Sequence, residues 1–203
     1  MATTAITADQ VKQLRDKTGA GMMECKAALA EANGNMDEAV TLLRKRGLAQ
    51  AAKRAGRTTA QGMIGSYIHM GGKIGVLVEV NCESDFVART EDFQNLVKEV
   101  GMHIAAADPK WVRREEVPAE AVDKEKGIYR AQMENTGKPA NVLDKIVEGK
   151  LGSFYSQFVL LDQPSVRDPN VTIAQLVAQT SAKTGENITV NRFVRFRVGE
   201  GNE

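Results

Sequence analysis

The chain has 203 residues, 42% of them hydrophobic and 26% charged, and its formal net charge at neutral pH is +1. This composition is typical of a globular protein with one large domain or two small ones. A net charge so close to zero provides no general attraction for nucleic acid or for a membrane surface, so we expect neither as a partner. No apolar run is long enough to span a bilayer.

Residues 1 to about 55 predict a three-helix bundle followed by a basic linker. Thr7 with Gln10 has the pattern of a capping box, which starts the first helix. Short glycine-containing segments separate the helices, and Asn35 is placed to cap the third. Gly47 is a plausible end of that third helix. The bundle should have a thin core of Leu, Ala and Met.

Met22 and Met23 stand together at the start of the predicted second helix. Neighbouring helical residues point about 100° apart, so both side chains cannot pack inward on a small bundle. An exposed methionine is flexible and suits a contact surface. The alternative is one core methionine beside a surface methionine without a role.

The segment 45–59 carries five basic residues and no acidic residue. One interpretation is a solvated connector or an extension of the third helix, because charge runs are usually solvated faces. The other is a docking stripe for an acidic partner surface. The sequence leaves both open.

Residues 56–203 predict an α+β core domain. Two strands, at about 63–70 and 73–81, flank Gly71-Gly72, a dipeptide suited to a tight hairpin turn. The residues that alternate on one face of the second strand are Ile74, Val76, Val78 and Val80. The next helix carries an apolar stripe that can cover this hairpin, formed by Phe93, Leu96, Val97, Val100 and Ile104.

A helical hairpin is predicted at about 118–155, with its two helices separated at Gly137-Lys138-Pro139. The last strand, Thr189 to Val198, must pair with the early hairpin, which gives a three-stranded antiparallel sheet packed by helices. The residues expected on its buried face are Val190, Val194, Phe196 and Val198, and those expected outward or at the rim are Arg192, Arg195 and Arg197.

The junction between the second strand and the next helix places a charge beside a large ring, at Asp85-Phe86. The ring can fold back onto its own core or enter another protein. The core already has two apolar faces, one on the second strand and one on the following helix. Phe86 is therefore not obviously needed there.

Candidate catalytic groups are few. The cysteines Cys25 and Cys82 form no CxxC pair and are typical of free thiols in a reducing cytoplasm. A Cys82 nucleophile with a histidine base is the best enzymatic candidate. Nevertheless, Cys82 at a strand end is more typical of a small buried hydrophobe, and His103 on the flank of an apolar stripe is more typical of a structural histidine. His69 beside the turn is expected to be exposed. The spacing of the two histidines predicts no metal site.

Two runs of sequence resemble the signatures of the elongation factor Ts family. They are LRDKTGAGMMECKAAL at 14–29 and EVNCESDFVAR at 79–89, and the tail at 193–201 is similar to the closing strand of the family. The chain departs mildly in having Ser84 where many members have Thr, and Glu24 where many have Asp. The resemblance implies a guanine-nucleotide exchange factor for the GTPase elongation factor Tu, with a bundle similar to ubiquitin-associated domains. It implies an exchange factor without bond chemistry or a cofactor, acting in the cytoplasm.

The resemblance also implies which residues meet the partner. The first signature would contact the GTPase domain of elongation factor Tu through Leu14, Arg15, Met22 and Met23. The second would insert near the Mg²⁺ site of that domain through Ser84, Asp85, Phe86 and Val87. Longer members have two core subdomains and this chain has one, so we expect a homodimer built around the sheet and a 2:2 complex. Two other classes stay open: a peptide-holding adaptor, and a thiol enzyme that uses Cys82.

Overall fold

The computed structural model describes residues 6–133 and 140–200, and these residues form an α+β fold with eight helices and three strands. In chain order the elements are α1 (Ala8–Thr18), α2 (Met22–Glu31), α3 (Met36–Arg54), β1 (Gln61–Ile68), β2 (Ile74–Cys82), α4 (Asp85–Ala88), α5 (Glu91–Ala107), α6 (Ala119–Met133), α7 (Ala140–Phe158), α8 (Ile173–Thr184) and β3 (Ile188–Arg197). The strands form one antiparallel sheet, as the sequence predicts, and their order in it is β1-β2-β3.

The chain divides into two compact units. Unit 1 contains the chain up to Met63, Val80–Leu96 and Gln175–Thr189. Unit 2 contains Ile64–Glu79, Val97–Ala174 and the chain from Val190 onward. All three strands and the helices α5 and α8 therefore have residues in both units.

Unit 1 begins with the predicted three-helix bundle. Its first helix starts at a capping box: the Thr7 hydroxyl accepts from the Gln10 N–H at 3.2 Å, and the Gln10 side chain accepts from the Thr7 N–H at 3.0 Å. Asn35 caps α3 through the N–H groups of Asp37 and Glu38. The small core of the bundle consists of Val11, Leu14, Cys25, Ala28, Leu29, Ala32, Ala39 and Leu43.

The expected end of the third helix at Gly47 is wrong, because α3 continues to Arg54. A Cβ atom on Gly47 would lie 3.1 Å from the Cβ of Ala182 on α8, which is tighter than an ordinary contact. The glycine therefore permits close packing between two helices of unit 1. The basic segment is mostly an extension of the third helix, which is one of its two predicted interpretations.

The predicted hairpin is present in unit 2. Gly71 and Gly72 have φ values of 89° and 68°, a conformation that suits glycine, and the His69 N–H donates to the Ile74 carbonyl at 2.9 Å. Val76 and Val78 are buried, as the alternation of β2 predicts. Helix α5 follows the prediction too, since all five residues of its apolar stripe are buried.

The second half of β3 differs from the prediction. Ile188 and Val190 are buried, but the three residues Val194, Phe196 and Val198 are exposed and the Arg195 side chain is only 9% exposed. The even-numbered side chains are thus buried at the start of β3 and exposed from Arg192 onward. Placing Val194, Phe196 and Val198 in the core, and Arg195 outside it, was therefore wrong.

Helices α6 and α7 contact each other as the predicted helical hairpin requires. Arg130 pairs with Asp144 at 3.4 Å, and the Lys150 ammonium donates to Gln132 at 2.8 Å. The predicted break at 137–139 lies outside the described residues. Helix α7 ends at Phe158, where Phe154 and Val159 form a small apolar cluster with Val117.

Candidate functional site: the Asp85-Phe86 turn and the start of helix α2

The junction after β2 forms a single helical turn, α4. Four residues are too few to hold a helix on their own, and the side chains around the turn supply the missing support. The Ser84 hydroxyl caps the turn by accepting from the Val87 N–H at 3.4 Å. The Thr90 hydroxyl donates to the Val87 carbonyl at 2.7 Å. The turn is thus fastened at its start and at its end.

The turn buries one of its two large apolar side chains and exposes the other. Val87 is 8% exposed and anchors the turn in unit 1, whereas Phe86 is 78% exposed. Asp85 pairs with Arg89 at 2.7 Å, one turn further along the chain. The structure therefore presents the ring of Phe86 to the surroundings, beside an exposed ion pair.

A carboxylate from a distant part of the chain holds the start of this turn. One Glu186 oxygen accepts from the Glu83 N–H at 3.1 Å and the Ser84 N–H at 3.0 Å, and the other accepts from the Ser84 hydroxyl at 2.5 Å. In return, the Glu83 carboxylate accepts from the Asn187 N–H at 2.6 Å. We call these contacts among Glu83, Ser84, Glu186 and Asn187 the carboxylate clamp.

The first signature places its methionines at the surface. Met22 is 47% exposed and Met23 is 75% exposed, both in the first turn of α2. The Glu24 carboxylate accepts from the Gly21 N–H at 3.3 Å and fixes the start of that helix. Neither methionine is needed to fill the bundle core, so the contact-surface interpretation is favoured.

The other two predicted contact residues of the bundle differ from each other. Arg15 is exposed on α1. Leu14 is 0% exposed in the core of the bundle, so it has no surface with which to touch a partner in this structure. Its place in the signature is explained by packing.

The exposed large apolar side chains separate into two groups. Among the described residues of unit 1 they are Met22, Met23 and Phe86, all within the two signatures. The larger group, in unit 2, includes six residues on or beside the sheet: Ile64, Ile68, Leu77, Val194, Phe196 and Val198. Exposed apolar side chains that lie together on a surface are typical of sites that contact other macromolecules.

The thiol and histidine geometry argues against the enzymatic alternative. Cys82 is completely buried, its thiol donates to the Ser84 carbonyl, and burial raises its pKa, so little reactive thiolate is available. His103 is also completely buried: its Nε2 lies 2.8 Å from Gln163 Oε1, and its Nδ1 accepts from the Val166 N–H at 3.3 Å. Burial lowers the pKa of His103. The prediction of a structural histidine is confirmed.

The basic segment is largely paired within unit 1. Arg46 pairs with Glu31, and Arg57 pairs with Glu83 at 3.4 Å. Arg54 donates to the Ser181 carbonyl at 3.2 Å. These contacts favour the structural interpretation over a docking stripe. Among the described residues, no group of three or more His, Cys, Asp or Glu side chains has the arrangement of a metal site.

Sequence reasoning missed Glu186 and Arg89. Arg89 could have been found, since it lies four residues after Asp85, the spacing of a helical ion pair. Glu186 had no local signal, because it follows Ser84 by 102 residues. Its role depends on the tertiary fold.

An exposed ring on a braced turn and two adjacent exposed methionines are typical of proteins that act through contact with another macromolecule. No helix in the described part of the chain has the length and apolar content needed to cross a membrane.

Comparisons with known proteins identify the family. The family model for elongation factor Ts matches residues 2–200. Elongation factor Ts of Fervidobacterium nodosum is 60% identical over 195 residues, which are 96% of this chain and 99% of the relative. Those of Geobacter sulfurreducens and Koribacter versatilis are 57% and 58% identical, over 98% of this chain and 92% and 90% of the relatives. The chain belongs to the elongation factor Ts family and is thus an elongation factor of protein synthesis, which confirms the resemblance.

Proposed function

We propose that the protein is a guanine-nucleotide exchange factor for elongation factor Tu. It binds the GDP form of that GTPase in the cytoplasm, displaces Mg²⁺ and promotes GDP release, so that GTP can bind. The observation that carries the proposal is the exposed Phe86 ring on a turn that its own unit holds in place. The family membership supports it, and the mechanism requires no bond chemistry and no cofactor in this chain.

Exchange follows from a difference between two affinities. The factor must bind nucleotide-free elongation factor Tu more tightly than the GDP-bound form. That difference is a coupling free energy, and it is reciprocal: the factor weakens nucleotide binding by the same amount as nucleotide weakens factor binding. A factor with equal affinity for both forms of elongation factor Tu would not weaken nucleotide binding.

The Phe86 ring is the proposed wedge. Inserted between elements of the GTPase domain, it displaces the groups that hold Mg²⁺. Loss of the metal removes a large positive charge from the nucleotide phosphates and weakens their binding. The buried Val87 side chain anchors the turn in its own unit, and Ser84 caps the turn. Asp85, next to the ring, is paired with Arg89.

The role of the bundle is to bind elongation factor Tu rather than to displace Mg²⁺ from it. Met22 and Met23 give a flexible apolar surface, and Arg15 adds a positive charge on α1. Leu14 supports that surface from inside the bundle. The similarity of the bundle to ubiquitin-associated domains, implied by the family, fits a module that holds a partner.

The outer face of the sheet is proposed as the surface of a homodimer, which gives a 2:2 complex with elongation factor Tu. Arg192 pairs with Glu79 at 2.7 Å, and the Val198 N–H donates to the Lys73 carbonyl at 2.9 Å. This register places Val194 opposite Leu77 and Phe196 opposite Gly75. A second copy is the proposed occupant, because the same apolar face on two chains is self-complementary about a two-fold axis.

The decisive test is GDP release from purified elongation factor Tu loaded with a fluorescent GDP analogue. Addition of this protein should accelerate the fluorescence change in a concentration-dependent and saturable way, and excess Mg²⁺ should oppose it. A peptide-holding adaptor would bind without accelerating release. Binding with an unchanged release rate would therefore contradict the proposed exchange activity.

A further inference from the structure

The carboxylate clamp joins two loops that each need support. Residues 83–84 connect β2 to α4, and residues 185–187 connect α8 to β3. Each loop presents backbone N–H groups to a carboxylate of the other, through Glu186 in one direction and Glu83 in the other. Asn187 is buried and donates further to the Arg57 carbonyl at 2.9 Å. The loop that carries Glu186 is therefore itself fixed within unit 1.

The clamp reaches Phe86 through one hydroxyl group. The Ser84 hydroxyl donates its proton to Glu186, which leaves its lone pairs to accept from the Val87 N–H. Since a hydroxyl has a single proton, Glu186 decides how the Ser84 cap is oriented. The cap in turn sets the direction of α4, the turn on which Phe86 is exposed.

We propose that Glu186 is a positioning residue for nucleotide exchange, which acts by holding the Ser84 cap so that Phe86 points at the partner. The inference rests on the proposed exchange function and adds a residue that touches neither the partner nor the nucleotide. A ring that must displace other groups is less effective if the turn that carries it can move. Misplacement of a functional group by about 1 Å can cost as much as a hundredfold in rate.

Glu186→Gln is the sharpest substitution. The amide keeps the size of the side chain and one acceptor oxygen. Its N–H₂ group, however, must replace one of the two acceptor oxygens, so either the N–H groups of Glu83 and Ser84 or the hydroxyl proton of Ser84 lose their acceptor. Glu38→Gln is the matched control, because it makes the same change on an exposed side chain of α3 in the same unit.

The measurement is the rate of fluorescent GDP release from elongation factor Tu as the concentration of the full-length factor is raised. For Glu186→Gln we expect the maximal rate to fall by roughly tenfold, with the half-saturating concentration within about twofold of the wild-type value. Glu38→Gln should match the wild type in both. A smaller population of folded factor would instead raise the half-saturating concentration and leave the maximal rate unchanged, and that result would overturn the proposal.

A second comparison isolates the route through the ring. In the Phe86→Ala background there is no ring to position, so Glu186→Gln should lower the maximal rate no further. If Glu186→Gln lowers the rate by the same factor with and without the ring, the proposal is wrong.

Should Glu186→Gln fail to fold, Ser84→Ala removes only the linking hydroxyl and carries the same two expectations. A wild-type factor that does not accelerate release overturns the exchange function itself, whereas an active wild type with an equally active Glu186→Gln overturns only this inference.

Discussion

Phe86 contributes little to its own fold and is expected to contribute much to exchange. Its ring is 78% exposed, so truncation removes little buried apolar area. For Phe86→Ala we expect a change in the free energy of unfolding of at most about 0.5 kcal/mol, partial retention of binding to elongation factor Tu, and GDP release slower by roughly tenfold or more.

Stopped-flow release of fluorescent GDP checks the Phe86→Ala prediction, with thermal melting as the test of folding. Ile128→Ala, an exposed apolar residue on α6, is the control and should behave as the wild type. A release rate for Phe86→Ala equal to that of the control would contradict the wedge.

Met22 and Met23 are expected to contribute affinity. Replacing both with Ala removes two exposed apolar side chains from the start of α2, and truncation of a residue at the centre of an interface costs about 1 kcal/mol or more. We expect the Kd for elongation factor Tu to rise by roughly tenfold or more, while the melting temperature changes little. Calorimetric titration measures this, with Glu38→Ala as control. A collapsed melting transition without a specific binding defect would assign the methionines to packing.

His103 predicts how stability depends on pH. A histidine in the unfolded chain titrates near 6.5, and burial lowers the pKa in the folded state against weaker contributions from Gln163 and Glu99. Between these two values the unfolded chain binds more protons, so stability is present above about pH 6.5 and is lost as the pH falls towards the folded pKa. A charged ring would also lose the acceptor that meets the Val166 N–H.

Melting temperatures of the wild type and His103→Gln from about pH 7.5 to about pH 5 test this assignment. We expect His103→Gln to be less stable at every pH. Its melting temperature should fall less steeply with acid than that of the wild type, because it lacks the His103 titration. A smaller fall should remain, because carboxylates titrate in both proteins. Parallel curves would show that His103 does not provide the acid sensitivity.

At the scale of elements, a glycine sets the approach of α5 to β1 in unit 2. A Cβ atom on Gly65 would lie 2.2 Å from Val97 Cγ1, whereas nothing lies within 4 Å of the corresponding position on Gly127 in α6. The same substitution should therefore have opposite signs. Gly65→Ala should destabilise by about 1–3 kcal/mol through overpacking, and Gly127→Ala should stabilise by up to about 1 kcal/mol through helix propensity. Urea unfolding of both variants measures the difference; equal signs would contradict it.

Most elements could be predicted because their signals are local. The capping box of α1, the Gly71-Gly72 turn and the period of α5 each depend on residues within a few positions of one another. The exposure of the second half of β3 could not be predicted, because strict alternation from Val190 places Phe196 inside. Leu14 was also ambiguous, since a signature motif does not separate contact residues from those that support them.

The whole molecule presents an apolar sheet face that predicts its oligomeric state. Phe196, 66% exposed on β3, stands opposite Gly75, which has no side chain. Phe196→Glu would place a charge in the proposed two-fold contact, where its desolvation is unfavourable. We expect a wild-type dimer and a Phe196→Glu monomer at micromolar concentration.

Size-exclusion chromatography with light scattering measures both masses. Ile128→Glu places the same charge on an exposed apolar residue of α6 and should remain dimeric. A wild type that is monomeric at micromolar concentration would contradict the dimer, and a dimeric Phe196→Glu would assign the contact to another surface.

The burial of both native thiols makes the chain convenient for spectroscopy. Cys25 and Cys82 are free and completely buried, and burial raises the pKa of each. A maleimide at neutral pH reacts with the thiolate, so it will discriminate strongly in favour of a cysteine introduced at the surface. Glu38→Cys would thus accept a single fluorophore without removal of the native cysteines, and association with elongation factor Tu could be followed in real time by energy transfer.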